Sequence, residues 1–334
     1  MTPRCDEAPR GTHGGLPRQA WPGPARSTVL LLLAAVLLFG ASWPAVKVAI
    51  TATGATPIWL TASRSGLAAL ASMLVVVLLS AGQPCRPSRP DLPALLAIGI
   101  LQLTVFFLFC SFAVRFVPAG HTAILSNAAV IWVVPLAAIL RQREPPARWL
   151  AAGLTLAGVA IVIGPWSIGA AGAGEVSGEV SGEVWGYALL LAAALAWACT
   201  ILVTKAWPPR LPVIALLPWA FALSAALLTG LAIVLEPAGG IPPAAWPLAA
   251  FNGLVVAPFG TCCIIELSRR LTPTTAAIAF MIIPVVGILI STVMLGEAID
   301  AGLLCGGALI LAGAALTSVR SPGGRKPAVR SVGG

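Results

Sequence analysis

Residues 29–50 read VLLLLAAVLLFGASWPAVKVAI, an almost unbroken apolar run in which Lys47 is the single charged residue. A helix needs roughly 20 predominantly apolar residues to cross the hydrocarbon core of a bilayer. The run is long enough for this, and it is longer than the hydrophobic segment of a typical cleaved signal peptide. We therefore expect it to remain in the protein as the first transmembrane helix.

The same composition continues along the chain. Of the 334 residues, 58% are hydrophobic and only 9% are charged, which is too little polar surface to cover a water-soluble globule. Apolar runs follow one another and leave no room for a sizeable soluble domain. The sequence predicts an all-α integral membrane protein with ten transmembrane helices. They lie near residues 28–50, 57–80, 92–114, 117–140, 147–165, 184–206, 211–235, 245–268, 272–295 and 300–318.

One polar segment interrupts this pattern. Residues 172–186 read GAGEVSGEVSGEVWG, in which Gly-Glu-Val-Ser recurs every four residues. Acidic runs rich in Gly and Ser are typical of flexible linkers. We therefore divide the chain into a first five-helix repeat at 28–165, a linker at 166–183 and a second five-helix repeat at 184–318.

The basic residues define the predicted orientation. Of the 20 Lys and Arg residues, all except Lys47, Arg64 and Arg115 lie in the tails or in loops at one end of the predicted bundle. Basic residues concentrate in cytoplasmic loops, so we expect a multi-pass protein of the plasma (inner) membrane with both termini cytoplasmic. Residues 1–27 should form a disordered basic cytoplasmic tail, and 319–334 a second basic cytoplasmic tail. One helix more or fewer would transpose every later loop and destroy the asymmetry.

Two halves of five helices each must cross the membrane in opposite senses, which is the inverted-repeat design of many secondary transporters. A shift of 158 residues places Lys47 of the first helix on Lys205 of the sixth. Glu144 and Glu297 occupy corresponding positions just after the fourth and ninth helices. Each stands near a helix start, where the helix dipole favours negative charge, and we assign both a structural role. Paired small residues, which let helices approach closely in lipid, follow in the next helices. They are Gly153 with Gly158, and Gly307 with Gly313.

Taken in order, these motifs resemble the EamA-type family of the drug/metabolite transporter superfamily. The resemblance covers about residues 28–318 and implies ten helices arranged as two inverted five-helix repeats. Related proteins transport small metabolites, so the resemblance also implies a transport function. The segments that carry it are FGASWPAVK (39–47), Arg64, VVPLAAILRQRE (133–144) and IPVVGILISTVMLGE (283–297).

Two charged residues inside helices are candidates for substrate binding. An ionisable side chain at the centre of a bilayer costs roughly 2.5 kcal/mol or more and is a functional candidate by default. Lys47 and Arg64 lie at comparable depths in the outer parts of the first two helices, so together they can hold an anionic group such as a carboxylate. The alternative is that each side chain extends to the lipid headgroups.

Four further residues complete the candidate substrate site. Asn127 and Asn252 lie well inside their helices, where an unpaired amide is costly, so each should face the interior of the bundle. Hydrogen bonding between helices is the competing role. Trp43 and Trp197 offer aromatic walls for an organic ligand, although tryptophan is also the usual residue of the membrane interface.

Prolines inside helices are candidate hinges, because each frees the carbonyl four residues earlier. These candidates are Pro44, Pro135, Pro258 and Pro284. The alternative is that they are simply tolerated in membrane helices. Pro284 precedes Glu297 by the interval usual in the family, whereas Pro135 lies nearer to Glu144, so the kink in the fourth helix is expected about one turn away from its usual place.

Several functional classes find no support in the sequence. It contains no GxxxxGK[ST], HExxH or GxSxG motif, so we expect neither an enzyme nor an ATP-driven pump. The seven cysteines form no CxxC pair, and we expect no metal site and no cofactor. The basic residues lie in short loops rather than on one face, which argues against nucleic-acid binding. No Asp or Glu lies near the middle of a predicted helix, so proton coupling through a buried acid is not expected.

We therefore predict a secondary transmembrane transporter, an exporter of small metabolites such as amino acids or drug-like organic solutes. It would work by alternating access at a central cavity between the two repeats. The alternative is a membrane-embedded sensor or scaffold, or a channel, without active transport. The expected partners are a small-molecule substrate and the lipid bilayer, with a homodimer left open.

Overall fold

The computed structural model describes residues 26–79, 86–140, 144–164 and 178–318, and within them the chain is helical and has no β-strand. The helices are α1 (Arg26–Thr51), α2 (Pro57–Leu79), α3 (Arg89–Ala113), α4 (Ala119–Ile139), α5 (Pro146–Ile163), α6 (Gly178–Ala206), α7 (Val213–Leu235), α8 (Pro243–Arg270), α9 (273–295) and α10 (Ala301–Ser318). In the described part, nine helices are long and apolar enough to span a membrane, and α10 contributes a shorter apolar segment, Ala301–Thr317.

The prediction of an all-α membrane fold with ten helices is confirmed. The main difference in boundaries concerns α6, which begins at Gly178, so the last residues of the predicted linker belong to a helix. The remainder of that linker, 166–177, lies outside the described residues. So do nearly all of the predicted N-terminal tail and the whole of the C-terminal tail, 319–334.

Contacts between helix ends show that α7 runs antiparallel to α2 and in the same direction as α3. Glu236, just after α7, accepts hydrogen bonds from the backbone N–H groups of Ile58 and Trp59 at the start of α2. At the opposite end, Asp91 in the first turn of α3 accepts hydrogen bonds from the backbone of Arg210 and Leu211, at 2.7 and 3.1 Å. We call the end with Glu236 the acidic end and the end with Arg210 the basic end.

The two halves pack on each other reciprocally. Equivalent helices pair directly, α2 with α7 and α5 with α10. The contact of α1 with α9 is repeated as that of α6 with α4, and the contact of α2 with α8 is repeated as that of α7 with α3. Each contact therefore recurs with the halves exchanged, as expected for an inverted repeat.

The helices that meet in the centre are irregular. α3 and α8 contain π-helical segments at equivalent positions, Ala97–Phe106 and Phe251–Gly260. π-helical turns are frequent at functional sites. α4 is interrupted between Ala119–Leu125 and Val130–Ile139, and α9 is interrupted at Met281. The sequence offered Pro135, Pro258 and Pro284 as candidate hinges in α4, α8 and α9, but apolar periodicity gives no signal for the π-helical segment of α3.

Glycines bring α5 and α10 into backbone contact. A Cβ atom added to Gly158 would lie 2.5 Å from the carbonyl oxygen of Gly306, and one added to Gly313 would lie 2.6 Å from that of Ala151. Gly153, by contrast, has no atom within 4 Å of such a Cβ. Close packing without side chains is how helices associate in lipid, so Gly158 is structurally required and Gly153 is not.

Replacing Gly158 with Ala should lower the stability of the folded protein by about 1–3 kcal/mol, since the new methyl group overlaps a backbone oxygen. The measurement is the thermal-unfolding midpoint of the purified protein in detergent. Gly153→Ala is the matched control, because it makes the same change in helix propensity on the same helix without a clash. Equal midpoints for the two variants would contradict the assignment.

Candidate functional site

A cavity of about 470 Å³ lies in the centre of the bundle and is lined by residues of both repeats. Its walls come from α1, α2, α3 and α4 of the first half and from α6, α7, α8 and α9 of the second. The volume falls within the usual range for small-molecule sites. The π-helical segments of α3 and α8 and the interrupted parts of α4 and α9 all contribute to the lining.

A cluster of buried apolar side chains lies at the acidic end of the bundle. Val46 and Ile50 of α1 pack there with Leu60 of α2, with Val114, which directly follows α3, and with Ala249 of α8. Each of these residues is less than a tenth exposed. We call these five residues the acidic-end plug.

The described lining of the cavity extends toward the basic end. It includes Val213, the first residue of α7, and Thr261 and Ile264 in the last part of α8. The cavity therefore reaches toward the basic end of the bundle.

An ion pair ties the acidic end together. The carboxylate of Glu297 accepts hydrogen bonds from the backbone N–H groups of Ala119 and Gly120 at the start of α4, at 2.7 and 3.0 Å. Lys47 places its Nζ atom 3.1 Å from the same carboxylate and donates a hydrogen bond to the carbonyl of Val117. We call Lys47, Glu297, Ala119 and Gly120 the acidic-end clamp.

The clamp perturbs the acid. Burial by itself raises the pKa of Glu297, but the N–H groups of Gly120 and Ala119 and the ammonium group of Lys47 outweigh it and hold the pKa below its usual range. Glu297 therefore binds the start of α4, not the start of the helix that follows it. That following helix, α10, is capped by Asp300, which accepts a hydrogen bond from Leu303 N.

The corresponding residues at the basic end are arranged differently. Glu144, the counterpart of Glu297, lies just before α5 and forms an ion pair with Arg148 in the first turn of that helix. Lys205, the counterpart of Lys47, lines a separate cleft of about 290 Å³ together with Glu144 and Arg148. Two halves that match in sequence therefore differ in how their clamp residues are engaged.

Arg64 lies in the wall of the central cavity. It is only 7% exposed, and its guanidinium carbon lies 3.9 Å from the centre of the Phe107 ring, a cation–π contact. Its Nη1 atom is buried and has no hydrogen-bond partner among the described residues. A buried guanidinium with an unused donor is costly in a bilayer protein, so Arg64 remains a candidate for binding an anionic group.

The structure does not bring Lys47 and Arg64 together around one anion. Arg64 lines the cavity, whereas Lys47 is absent from the lining and belongs to the acidic-end clamp. This corrects the predicted shared site. Similar depths along two helices do not fix the directions in which the side chains point, and the ionic partner of Lys47 comes from a loop far away in the sequence.

Both predicted asparagines line the cavity and both are engaged in hydrogen bonds. Asn252 accepts a hydrogen bond from Ser42 of α1 at 2.6 Å, and its Nδ2 atom donates to Leu248 O. Asn127 lies in the interruption of α4, where its Nδ2 atom donates to Ala123 O at 2.9 Å. The backbone N–H of Asn127 donates to Ile124 O instead of Ala123 O. The side-chain amide therefore supplies a hydrogen bond to the carbonyl that the interruption leaves without its helical donor.

Aromatic rings form a continuous group beside Arg64. Trp43 lies 5.9 Å from Phe107 between ring centroids, and Trp197 lies 4.8 Å from Phe106 in an edge-to-face arrangement. All four rings line the cavity. The sequence pointed to the two tryptophans but not to the two phenylalanines, because a phenylalanine in an apolar run looks the same whether it faces lipid or a cavity.

The four candidate hinge prolines lie in different settings, and their role as hinges stays a prediction. Pro44 lies within the continuous α1, Pro135 follows the interruption of α4, and Pro258 lies inside the π-helical segment of α8. Pro284 lies just after the interruption of α9 and lines the cavity.

A ten-helix inverted repeat around a central cavity defines a membrane transporter fold. The model of the EamA-like transporter family matches residues 26–164 and 184–319, so the chain belongs to that family.

Known proteins similar to this chain include two curated relatives. A "Probable amino-acid metabolite efflux pump" of Salmonella typhimurium is 28% identical over 68% of this chain and 77% of its own length. A "Probable terminal-alkyne amino-acid exporter" of Streptantibioticus cattleyicolor is 25% identical over 90% of this chain and 96% of its own. A solved crystal structure shares the fold with a TM-score of 0.56 at 22% identity, over 87% of this chain and 96% of the other.

The clamp makes a prediction that depends on pH. Glu297→Gln should destabilise the protein by about 1–2 kcal/mol at neutral pH, because it removes the charge that Lys47 and the start of α4 bind. The folded-state pKa of Glu297 lies below its unfolded value. Its contribution is therefore complete above the ordinary carboxyl pKa of about 4.3 and is lost as the pH falls through the lowered value.

Thermal midpoints of the wild type, Lys47→Gln, Glu297→Gln and the double variant test this as a function of pH. The two substitutions should be strongly non-additive at neutral pH, and the destabilisation by Glu297→Gln should vanish in acid. Additive effects, or an effect of Glu297→Gln that persists in acid, would show that the clamp is not an energetic unit.

Proposed function

We propose that this chain is a secondary exporter of small organic metabolites, with amino acids and related solutes as the first candidates. The observation that carries the proposal is the central cavity, which both inverted repeats line, with a buried apolar cluster on its acidic side and a lining that extends toward the basic end. Membership of the EamA-like transporter family and the two relatives named as an efflux pump and an exporter support it.

The proposed orientation places the basic end in the cytoplasm of a plasma-membrane protein, following the concentration of Lys and Arg there. Both termini are then cytoplasmic. The cavity reaches toward the basic end, so this conformation faces the cytoplasm, the side from which an exporter takes up its cargo.

Alternating access then requires a second conformation in which the two halves exchange roles. In it, the acidic-end clamp opens, and Glu144 and Lys205 form the equivalent clamp with the start of α9. Glu144 would exchange its partner Arg148 for the start of α9, just as Glu297 binds the start of α4. The pseudosymmetry of the sequence supports this exchange, since a shift of 158 residues relates Lys47 to Lys205.

A single reporter cysteine tests the exchange. In a variant whose native cysteines have been replaced and which retains transport, Ala123→Cys places a thiol in the cavity lining. A membrane-impermeant maleimide should reach this thiol mainly from the cytoplasmic side. Adding Glu297→Gln should shift the labelling toward the outer side by roughly tenfold or more, as expected when about 1.4 kcal/mol of clamp energy is removed.

Glu236→Gln is the matched control, because it removes a carboxylate from another helix start at the same end without touching the clamp. It should leave the sidedness of labelling unchanged. Simultaneous labelling from both sides in the parent protein would indicate a channel. Labelling from the cytoplasmic side alone, whatever the clamp, would indicate a sensor or scaffold.

A further inference from the structure

The charge in the cavity lining is unbalanced. Arg64 is the only ionisable cation among the residues that line the cavity in the described part of the chain, and no Asp or Glu lines it. Arg64 is 7% exposed, and its Nη1 atom has no hydrogen-bond partner among the described residues. The cavity thus contains a fixed positive charge without a protein counter-ion, and an entering anionic group supplies what is missing.

The guanidinium group is held in place before any ligand arrives. Phe107 lies against its face, 3.9 Å from the ring centroid to the guanidinium carbon, and Phe107 is itself held between Trp43 and Phe106 at 5.9 and 5.1 Å. A planar guanidinium fixed in this way suits a planar carboxylate, which it can bind through two parallel hydrogen bonds.

No Asp or Glu of the described residues lines the cavity, so the lining offers no ionic partner for a cationic group. The amide oxygen of Asn252 already accepts a hydrogen bond from Ser42. A zwitterion entering the cavity would therefore find an ionic partner for its carboxylate and none for its ammonium group. The ammonium group would lose its hydration without compensation from an opposite charge.

The remaining walls are apolar. Aromatic rings lie on one side of Arg64, and aliphatic side chains such as Ile98, Leu103, Leu217 and Val256 complete the enclosure. Such walls favour burial of an apolar group attached to the carboxylate, and aromatic walls favour an aromatic group.

Resting on the exporter function proposed above, we propose that the cargo is a carboxylate with an apolar body, bound through its carboxylate to Arg64, and that an ammonium group is not required. Amino acids with apolar side chains belong to this class through their carboxylates. Their hydroxy-acid analogues belong to it as well.

A series built on one scaffold tests the proposal. The ligands are phenylalanine, 3-phenyllactate, which lacks the ammonium group, and phenylalaninamide, which lacks the carboxylate. Binding to the purified full-length protein is followed by isothermal titration calorimetry, since a signal from all eleven tryptophans would not isolate Trp43 and Trp197 of the cavity wall. Phenyllactate should bind at least as tightly as phenylalanine, and phenylalaninamide should bind more weakly by about tenfold or more, the loss of one charge-assisted contact. This comparison needs no variant.

Variants then assign the effect to Arg64. Arg64→Gln should remove the preference for phenyllactate over phenylalaninamide, and Arg64→Lys, which keeps the charge but not the planar fork, should keep part of it. Arg115→Gln is the matched control, because Arg115 is exposed, lies near an aromatic ring, Phe116, at 5.9 Å and does not line the cavity. It should bind all three ligands as the parent does.

Three results would overturn the proposal: equal or tighter binding of phenylalaninamide, unchanged preference in a folded Arg64→Gln protein, or no binding of either carboxylate. Failure of the exporter function looks different. In that case phenyllactate would bind in an Arg64-dependent manner but would not be exchanged across the membrane of proteoliposomes.

Discussion

The absence of water from the hydrocarbon core is the constraint on which the whole structure depends. Every backbone polar group there must be paired within the protein, which is why the described chain is helical. Irregular backbone is then permitted only where side chains or a cavity can complete the pairing. The interruption of α4 is an example, since the side-chain amide of Asn127 donates a hydrogen bond to the carbonyl of Ala123, which has lost its helical donor. The π-helical segments of α3 and α8 line the same cavity.

The second organising feature is a symmetry of sequence that the conformation breaks. Glu297 binds the start of α4 and Lys47, whereas its counterpart Glu144 binds Arg148 within its own half. The contacts of Glu297 join α1, α4 and the segment after α9 at the acidic end, and the cavity reaches toward the basic end. In the proposed transport cycle, the two ends would exchange these arrangements, as the inverted repeat allows.

The sequence predicted much of the fold and part of the site. Apolar length, the one-sided distribution of Lys and Arg and the repeated Glu after the fourth helix of each half sufficed for ten helices in two inverted halves. Arg64 was singled out because a charge in an apolar run stands out in any sequence. The partner of Lys47 was missed, since Glu297 is far away along the chain and only packing brings them together. Phe107 was missed because periodicity cannot separate a lipid-facing ring from one that faces a cavity.

The central claim is that this chain moves a solute across the membrane through the cavity. Counterflow tests it most directly: proteoliposomes loaded with unlabelled solute are diluted into the same solute in labelled form, with phenylalanine as the first cargo. The account predicts a transient accumulation of label inside the vesicles that exceeds equilibrium, and its loss in the Arg64→Gln variant. Uptake that never exceeds equilibrium for any solute that binds the cavity would contradict it.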